Sequence, residues 1–213
     1  MPIDIDKIWL FRIVHIDNVE YLLRNGIFNV HHAQADPDYI NIGDRTLISQ
    51  RDDYAVKLAG YGNLGDYVPF YFGTLSPMLL NIKTGHRGIL MRPQADIVYI
   101  CCKLDQIARE CPCWFFTDGH AKSAITEYYT SLDDLSHVDW KMVSERYFSN
   151  KEDDYDRMRR KQAEFLVKEH VPVNCIGSIV VLNEEKRLHL QQIVDNLNLS
   201  ISVRVNPKNK FYF

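Results

Sequence analysis

The chain has 213 residues, 46% hydrophobic and 25% charged, with a formal net charge of -3. That length and composition fit one globular domain of roughly 100–200 residues, or one with a long insertion, and argue against global disorder or a membrane-embedded chain. The slight acidity argues against nonspecific coating of nucleic acid, which draws most of its free energy from phosphate neutralisation, yet it leaves room for a local basic groove.

KIWLFRIVH (7–15) is rich in β-branched and aromatic residues and is predicted as a first strand. In the DNVEYLLRNGI that follows, Asp17 and Glu20 have capping-box spacing and Gly26 stands where a helix stops, which predicts a helix over 18–25. Residues 31–67 are weakly patterned, with at most a short helix near 44–51; so long an excursion inside a compact domain is uncommon and often forms a binding element. VPFYF (68–72) is predicted as an aromatic strand, closed by a Ser-Pro turn into a short helix. ADIVYICCKL (95–104) is a further strand, LDQIAREC (104–111) a short helix, and PCWFFTDGH (112–120) a strand ending at Asp-Gly.

Residues 121–160 differ in character. Ile125, Tyr128, Tyr129 and Leu132 have helical spacing, a second helix is predicted over WKMVSERYF, and KEDDYDRMRRK reads as a solvated charge block. Beyond it QAEFLVKEH, CIGSIVVL and LSISVRV have strand character, with an amphipathic helix over 185–197. If the chain turns extended at Gln162, then Gln162 and Glu164 share one face of a strand behind the cations of RMRRK. Strands with peripheral helical insertions make an α+β domain.

No apolar run approaches the roughly 20 residues of a membrane helix, and MPIDIDKIW lacks the pattern of a secretory leader, so a cytoplasmic location is expected. The five cysteines Cys101, Cys102, Cys111, Cys113 and Cys175 form CC and C-x-C pairs plus one single residue. They lack C-x2-C zinc spacing and are read as buried reduced thiols, with no metal site expected.

Five features bear on chemistry. They are Glu164 two residues after Gln162, Arg51 at the end of the excursion, the aromatic faces of VPFYF, His120 in a strand-to-helix turn, and Arg12 with His15 near the end of strand one. Each alone has a plainer explanation: strand-edge carboxylates and loop arginines are usually solvated, aromatic strands usually pack a core, and turn histidines are usually just exposed. Together, a Q-x-E strand, an upstream Arg fork suited to a diphosphate, an aromatic strand between them and a long insertion before the Glu are similar to the layout of ADP-ribosyltransferases.

The motifs FRIVHIDN (11–18), INIG (40–43), ISQR ending at Arg51, DYVPFYF (66–72), SPML (76–79), FTDGHA (116–121), VDW (138–140), RRKQAEFLV (159–167) and the closing FYF carry the resemblance further. Over essentially its whole length the chain resembles the DarT family of DNA ADP-ribosyltransferase toxins. The resemblance implies an ADP-ribosyltransferase-like α+β fold with a central, mostly antiparallel split sheet and peripheral helical insertions. It implies NAD as co-substrate, transfer of ADP-ribose to thymine in single-stranded DNA with release of nicotinamide, and an antitoxin carrying an ADP-ribosyl-hydrolysing macrodomain. A guanine-directed branch and a noncatalytic nucleotide or single-strand binding module stand as alternatives.

By motif, Glu164 becomes the catalytic glutamate, stabilising an oxocarbenium-like transition state through the ribose 2'-hydroxyl. Arg51 becomes the second catalytic residue, in contact with NAD; with a pKa above ~12 it is a poor base, so its electrostatic role is the firmer expectation. Arg12, Ile13, Val14, Tyr21, Asn29 and Tyr71 fall where the family grips NAD, although some relatives have His where Arg12 stands. Residues 37–53 correspond to the NAD-binding element and 120–164 to the substrate-recognition loop. His120, Tyr147, Arg157, Arg159 and Arg160 are the expected DNA contacts, with the cations of RMRRK holding phosphates beside the glutamate.

Overall fold

The computed structural model describes residues 3–213. Its frame is an eight-stranded sheet in the order β10-β9-β4-β1-β3-β7-β5-β6. The strands are β1 (Trp9–His15), β3 (Tyr67–Tyr71), β4 (Ile97–Lys103), β5 (Trp114–Thr117), β6 (Tyr128–Tyr129), β7 (Glu164–Lys168), β9 (Ile176–Val181) and β10 (Ser202–Val205); β2 (Ile27–Phe28) pairs β8 (His170–Val171) separately. Every pairing is antiparallel except β9 with β10, which are joined through α7 (Glu184–Asn196). β4 carries its hydrophobic run because six of its seven residues are buried, as expected for a strand covered on both faces.

The sheet is split. β1 pairs β4 over seven positions but meets β3 only at Phe11 opposite Tyr71. Past that single pair the two halves diverge, and the Arg12 Nη1 donates across the seam to the Pro69 carbonyl at 3.0 Å.

The short helices begin where side chains can cap them. Asp44 accepts from Leu47 N at the start of α2 (Arg45–Asp52), and Ser76 accepts from Leu79 N at the start of α3 (Pro77–Thr84). α1 (Val19–Asn25) departs from its predicted capping box. His15 Nδ1 takes the Asp17 N–H, Glu20 pairs with Arg24, and the buried Asn18 side chain bonds both backbone groups of Ile40. Gly26 ends α1 at φ 87°, the left-handed conformation expected of it.

Three insertion readings are corrected. Tyr128 and Tyr129 form β6 rather than a helix, because alternate faces of a strand let them stack on Phe115 and Phe116 at 5.3 and 5.2 Å, and cross-strand aromatic pairs outweigh a helical spacing. The predicted helix over WKMVSERYF shortens to α5 (Trp140–Ser144). The charge block is not wholly solvated loop either: Arg157–Lys161 form α6. Gln162 caps that helix at φ -100°, ψ 26°, so the extended run begins at Glu164 and not at Gln162.

Candidate active site

The diverging half-sheets open into a cavity of about 730 Å³ walled by β1, β3, the start of β7, α2 and the loop leading to it. Glu164, the first residue of β7 and opposite Tyr71 in register, faces this cavity while only 2% exposed. Arg51, in the last turn of α2, reaches it from 113 residues upstream. Its Nη1 donates to Oε2 at 3.0 Å and to Oε1 at 3.3 Å. The Ala121 N–H donates to Oε1 at 3.0 Å, and Thr117 Oγ1 accepts from the Glu164 N–H at 3.2 Å.

A carboxylate has about four lone-pair sites, and three donor contacts leave Oε2 able to accept one hydroxyl more. The wall also carries two donors with no partner among the described residues, Arg51 Nη2 and Arg12 Nε, both buried. Buried guanidinium N–H groups are costly to leave unmet, and two of them beside a cavity this large suit an extended, anionic, diphosphate-bearing ligand.

Burial pushes the Tyr71 phenol well up, with the Glu164 charge adding to the effect, so Tyr71 is a neutral hydroxyl at the cavity wall. Burial pushes His120 down from its ordinary 6.5, only partly offset by Glu164, so the imidazole is neutral at pH 7. With its folded pKa depressed, the stability that neutral His120 contributes is present above about 6.5 and is lost as pH falls through the folded value. Between pH 7 and pH 5 the wild type should therefore lose more unfolding free energy in urea than His120→Gln; equal losses would mean that the ring charges freely in the fold.

Of the expected NAD-side residues, Arg12, Ile13, Tyr21, Asn29, Arg51 and Tyr71 line the cavity. Val14 does not: it lies opposite Val98 of β4 and is fully buried in the core. Asn29 also shapes its turn, donating to the Asp66 carbonyl and accepting the His31 N–H.

Three of the four RMRRK cations, Arg159, Arg160 and Lys161, are held by partners within the protein. Arg159 pairs with Asp156 and Asp118, and Arg160 with Asp139 and Asp154. Lys161 is buried, with Nζ donating to the carbonyls of Thr74, Val143 and Glu145; burial lowers its pKa to about 8 while those three oxygens hold its proton. Arg157 donates to the carbonyls of Tyr147 and Ser149 and, among the described residues, has no carboxylate partner. Tyr147 is 79% exposed. Among the described residues no group of three His, Cys, Asp or Glu side chains is placed to hold a metal, and four of the five thiols are buried, with Cys113 half-buried.

A family model described as DarT, ssDNA thymidine ADP-ribosyltransferase, matches residues 11–213. The chain belongs to the DarT family. A DNA ADP-ribosyl transferase of Escherichia coli O127:H6 is 39% identical over 207 residues, 97% of this chain and 94% of that protein. The Thermus sp. 2.9 DarT in complex with ADP-ribosylated ssDNA superposes with a TM-score of 0.84 at 26% identity, over 96% of each chain, and the same protein in complex with NAD+ gives 0.79. A DNA ADP-ribosyl transferase–DNA ADP-ribosyl glycohydrolase fusion protein of Thermosipho africanus is 27% identical over 207 residues, 96% of this chain and 49% of the fusion. The split sheet and its cleft are thus the DarT ADP-ribosyltransferase fold.

The cavity wall includes residues that sequence reasoning passed over. Arg87 reaches it from a turn between Gly85 and Gly88, and Met158 and Ser123 also line it. The signal for Arg87 was a cation in the glycine-punctuated GHRG; nothing in the sequence pointed to Met158 or Ser123.

Proposed function

We propose that this DarT is the toxin of a toxin–antitoxin pair, transferring ADP-ribose from NAD to a thymine in single-stranded DNA with Glu164 and Arg51 as its reactive centre. The observation that carries the assignment of the centre is the Glu164 carboxylate, nearly buried yet facing the cavity, with a guanidinium and a backbone N–H fixing its orientation. The bond from the ribose anomeric carbon to the nicotinamide nitrogen breaks, and its electrons leave with neutral nicotinamide. Glu164 accepts a hydrogen bond from the ribose 2'-hydroxyl, which lowers the energy of the oxocarbenium-like transition state. The thymine ring nitrogen then bonds to the anomeric carbon and gives up its proton to an acceptor in the cleft.

Residues 37–53 act as the NAD-binding element, a role supported by Pro37, Asn41, Ile48 and Arg51 on the cavity wall. Arg12 and Tyr71 face the dinucleotide from the two half-sheets, with Ile13, Tyr21 and Asn29 beside them. Residues 120–164 form the DNA-recognition loop, with His120 near the reacting base. Arg157 supplies a phosphate contact and Tyr147 a stacking face. Arg157→Ala should reduce the salt slope of oligonucleotide binding by about one, uniformly across sequences. Tyr147→Ala should cost about 1–3 kcal/mol of binding. Fluorescence titrations at three salt concentrations check both, and unchanged slopes and affinities would remove these residues from the interface.

The protein acts in the cytoplasm beside a partner that removes ADP-ribose from DNA; what supports such a partner is the hydrolase fused to the Thermosipho relative. Among the described residues no helix is long and apolar enough to cross a membrane. The test of the whole reading is incubation with NAD and defined single-stranded oligonucleotides, followed by mass measurement. One added ADP-ribose on strands containing T and none on strands lacking it is expected. Product on strands with G but no T would favour the guanine-directed alternative, and NAD binding without nicotinamide release would favour a noncatalytic module.

A further inference from the structure

The turn Thr117–Ala121 does two things for the cleft: it carries His120 to the cavity wall and it aims the Ala121 N–H at Glu164. A turn that must hold a donor against a carboxylate within a few tenths of an ångström needs support from outside itself. Arg159, five residues before Glu164 and 13% exposed, provides it. Its Nε and Nη2 fork onto the two oxygens of Asp156, each at 2.7 Å. Its Nη1 donates to Asp118 Oδ1 at 2.9 Å and to Thr126 Oγ1 at 3.1 Å.

Both backbone groups of His120 belong to the same network. The His120 N–H donates to the Arg159 carbonyl at 3.0 Å, and the His120 carbonyl accepts from Thr126 Oγ1 at 2.9 Å. Gly119 lies so close that a Cβ there would run into the Arg159 guanidinium, which explains a glycine at this point of FTDGHA. Four of the five N–H donors of an arginine are thereby committed, and two carboxylates over-neutralise its charge. Such a cation is poorly placed to bind phosphate.

We infer that Arg159 is a positioning residue: through Asp118, Thr126 and the His120 backbone it sets the imidazole and the Ala121 N–H against Glu164, and it does not contact DNA. This rests on Glu164 being the reactive carboxylate. Arg159→Gln should lower kcat about 10- to 100-fold, the scale of a slight misplacement of reacting groups. NAD and oligonucleotide affinities and the salt slope of DNA binding should stay at wild-type values. Because the network works through His120, adding Arg159→Gln to His120→Ala should cost much less than it does alone. Asp118→Asn, which leaves the Asp156 pair in place, should reproduce the kcat loss in part and serves if Arg159→Gln does not fold.

A wild-type kcat in either folded variant, or a salt slope lowered by about one in Arg159→Gln, overturns the inference. Full activity of Glu164→Gln would instead overturn the reading of the site, so the two failures are separable.

Discussion

Glu164→Gln should abolish transfer of ADP-ribose to a thymine-containing oligonucleotide, with kcat falling by at least ~10³-fold, while NAD still binds. The replacement is nearly isosteric, and its single carbonyl oxygen at the Oε1 position has two lone pairs, one for the Ala121 N–H and one for Arg51 Nη1, while the bond to Arg51 at Oε2 is lost. What disappears is the negative charge. A cationic sugar develops in the transition state and not in bound NAD, so a charge felt by that state alone changes kcat far more than affinity. The expected size follows from losses on removing a single group aimed at developing charge, about 10²–10³ for one neutral donor and more for a full charge in a water-poor cleft. Mass measurement of the oligonucleotide product and calorimetry with NAD check it; near-wild-type turnover would end the assignment of this carboxylate.

Arg51→Ala should be nearly as severe and should also destabilise the protein. Arg51 and Glu164 are 13% and 3% exposed in their side chains, so the pair is shielded from water on most sides. Removing the cation leaves a nearly buried carboxylate with the Ala121 backbone N–H as the remaining donor to it. Breaking buried pairs costs about 3–5 kcal/mol, and access of water from the cavity brings the expected loss to about 2–3 kcal/mol. The variant also loses the unpartnered Nη2, so both NAD affinity and turnover should fall, with kcat/KM for NAD down by about 10²–10³. Arg51→Lys keeps the charge without the fork and should recover stability better than activity. Urea unfolding and nicotinamide release separate the two effects, and an Arg51→Ala protein with wild-type kcat/KM would show the guanidinium to be scaffolding alone.

Much of the fold was legible because the strands announce themselves. WLFRIVH, IVYICC and IGSIVV are β-branched and aromatic runs with no competing helical period, and they became β1, β4 and β9. The helix near 44–51 and the stop at Gly26 were equally readable, since Asp44 and Gly26 act locally. Glu164 and Arg51 were singled out by motif and do meet in the fold, and register sets where: Tyr71 opposite Glu164 puts both at the mouth of the split.

What failed depended on distant partners. The helical spacing of Tyr128 and Tyr129 lost to aromatic rings on β5 that sequence cannot place beside them. The ion pairs of Arg159 and Arg160 were not legible because their carboxylates, Asp118 and Asp139, lie 41 and 21 residues upstream. Val14, expected beside Ile13 in the NAD grip, lies instead opposite Val98 in a core that β1 and β4 close between them, a partner the sequence cannot place there.

The seam between the half-sheets gives the substrate a mechanical part to play. One paired position and one arginine–carbonyl bond join the two blocks along it, while Arg12 comes from one block and Glu164 from the other. On the proposed reading a dinucleotide held by both residues is a rivet across that seam, so its departure as nicotinamide and a DNA-bound fragment would loosen a joint that its arrival had tightened.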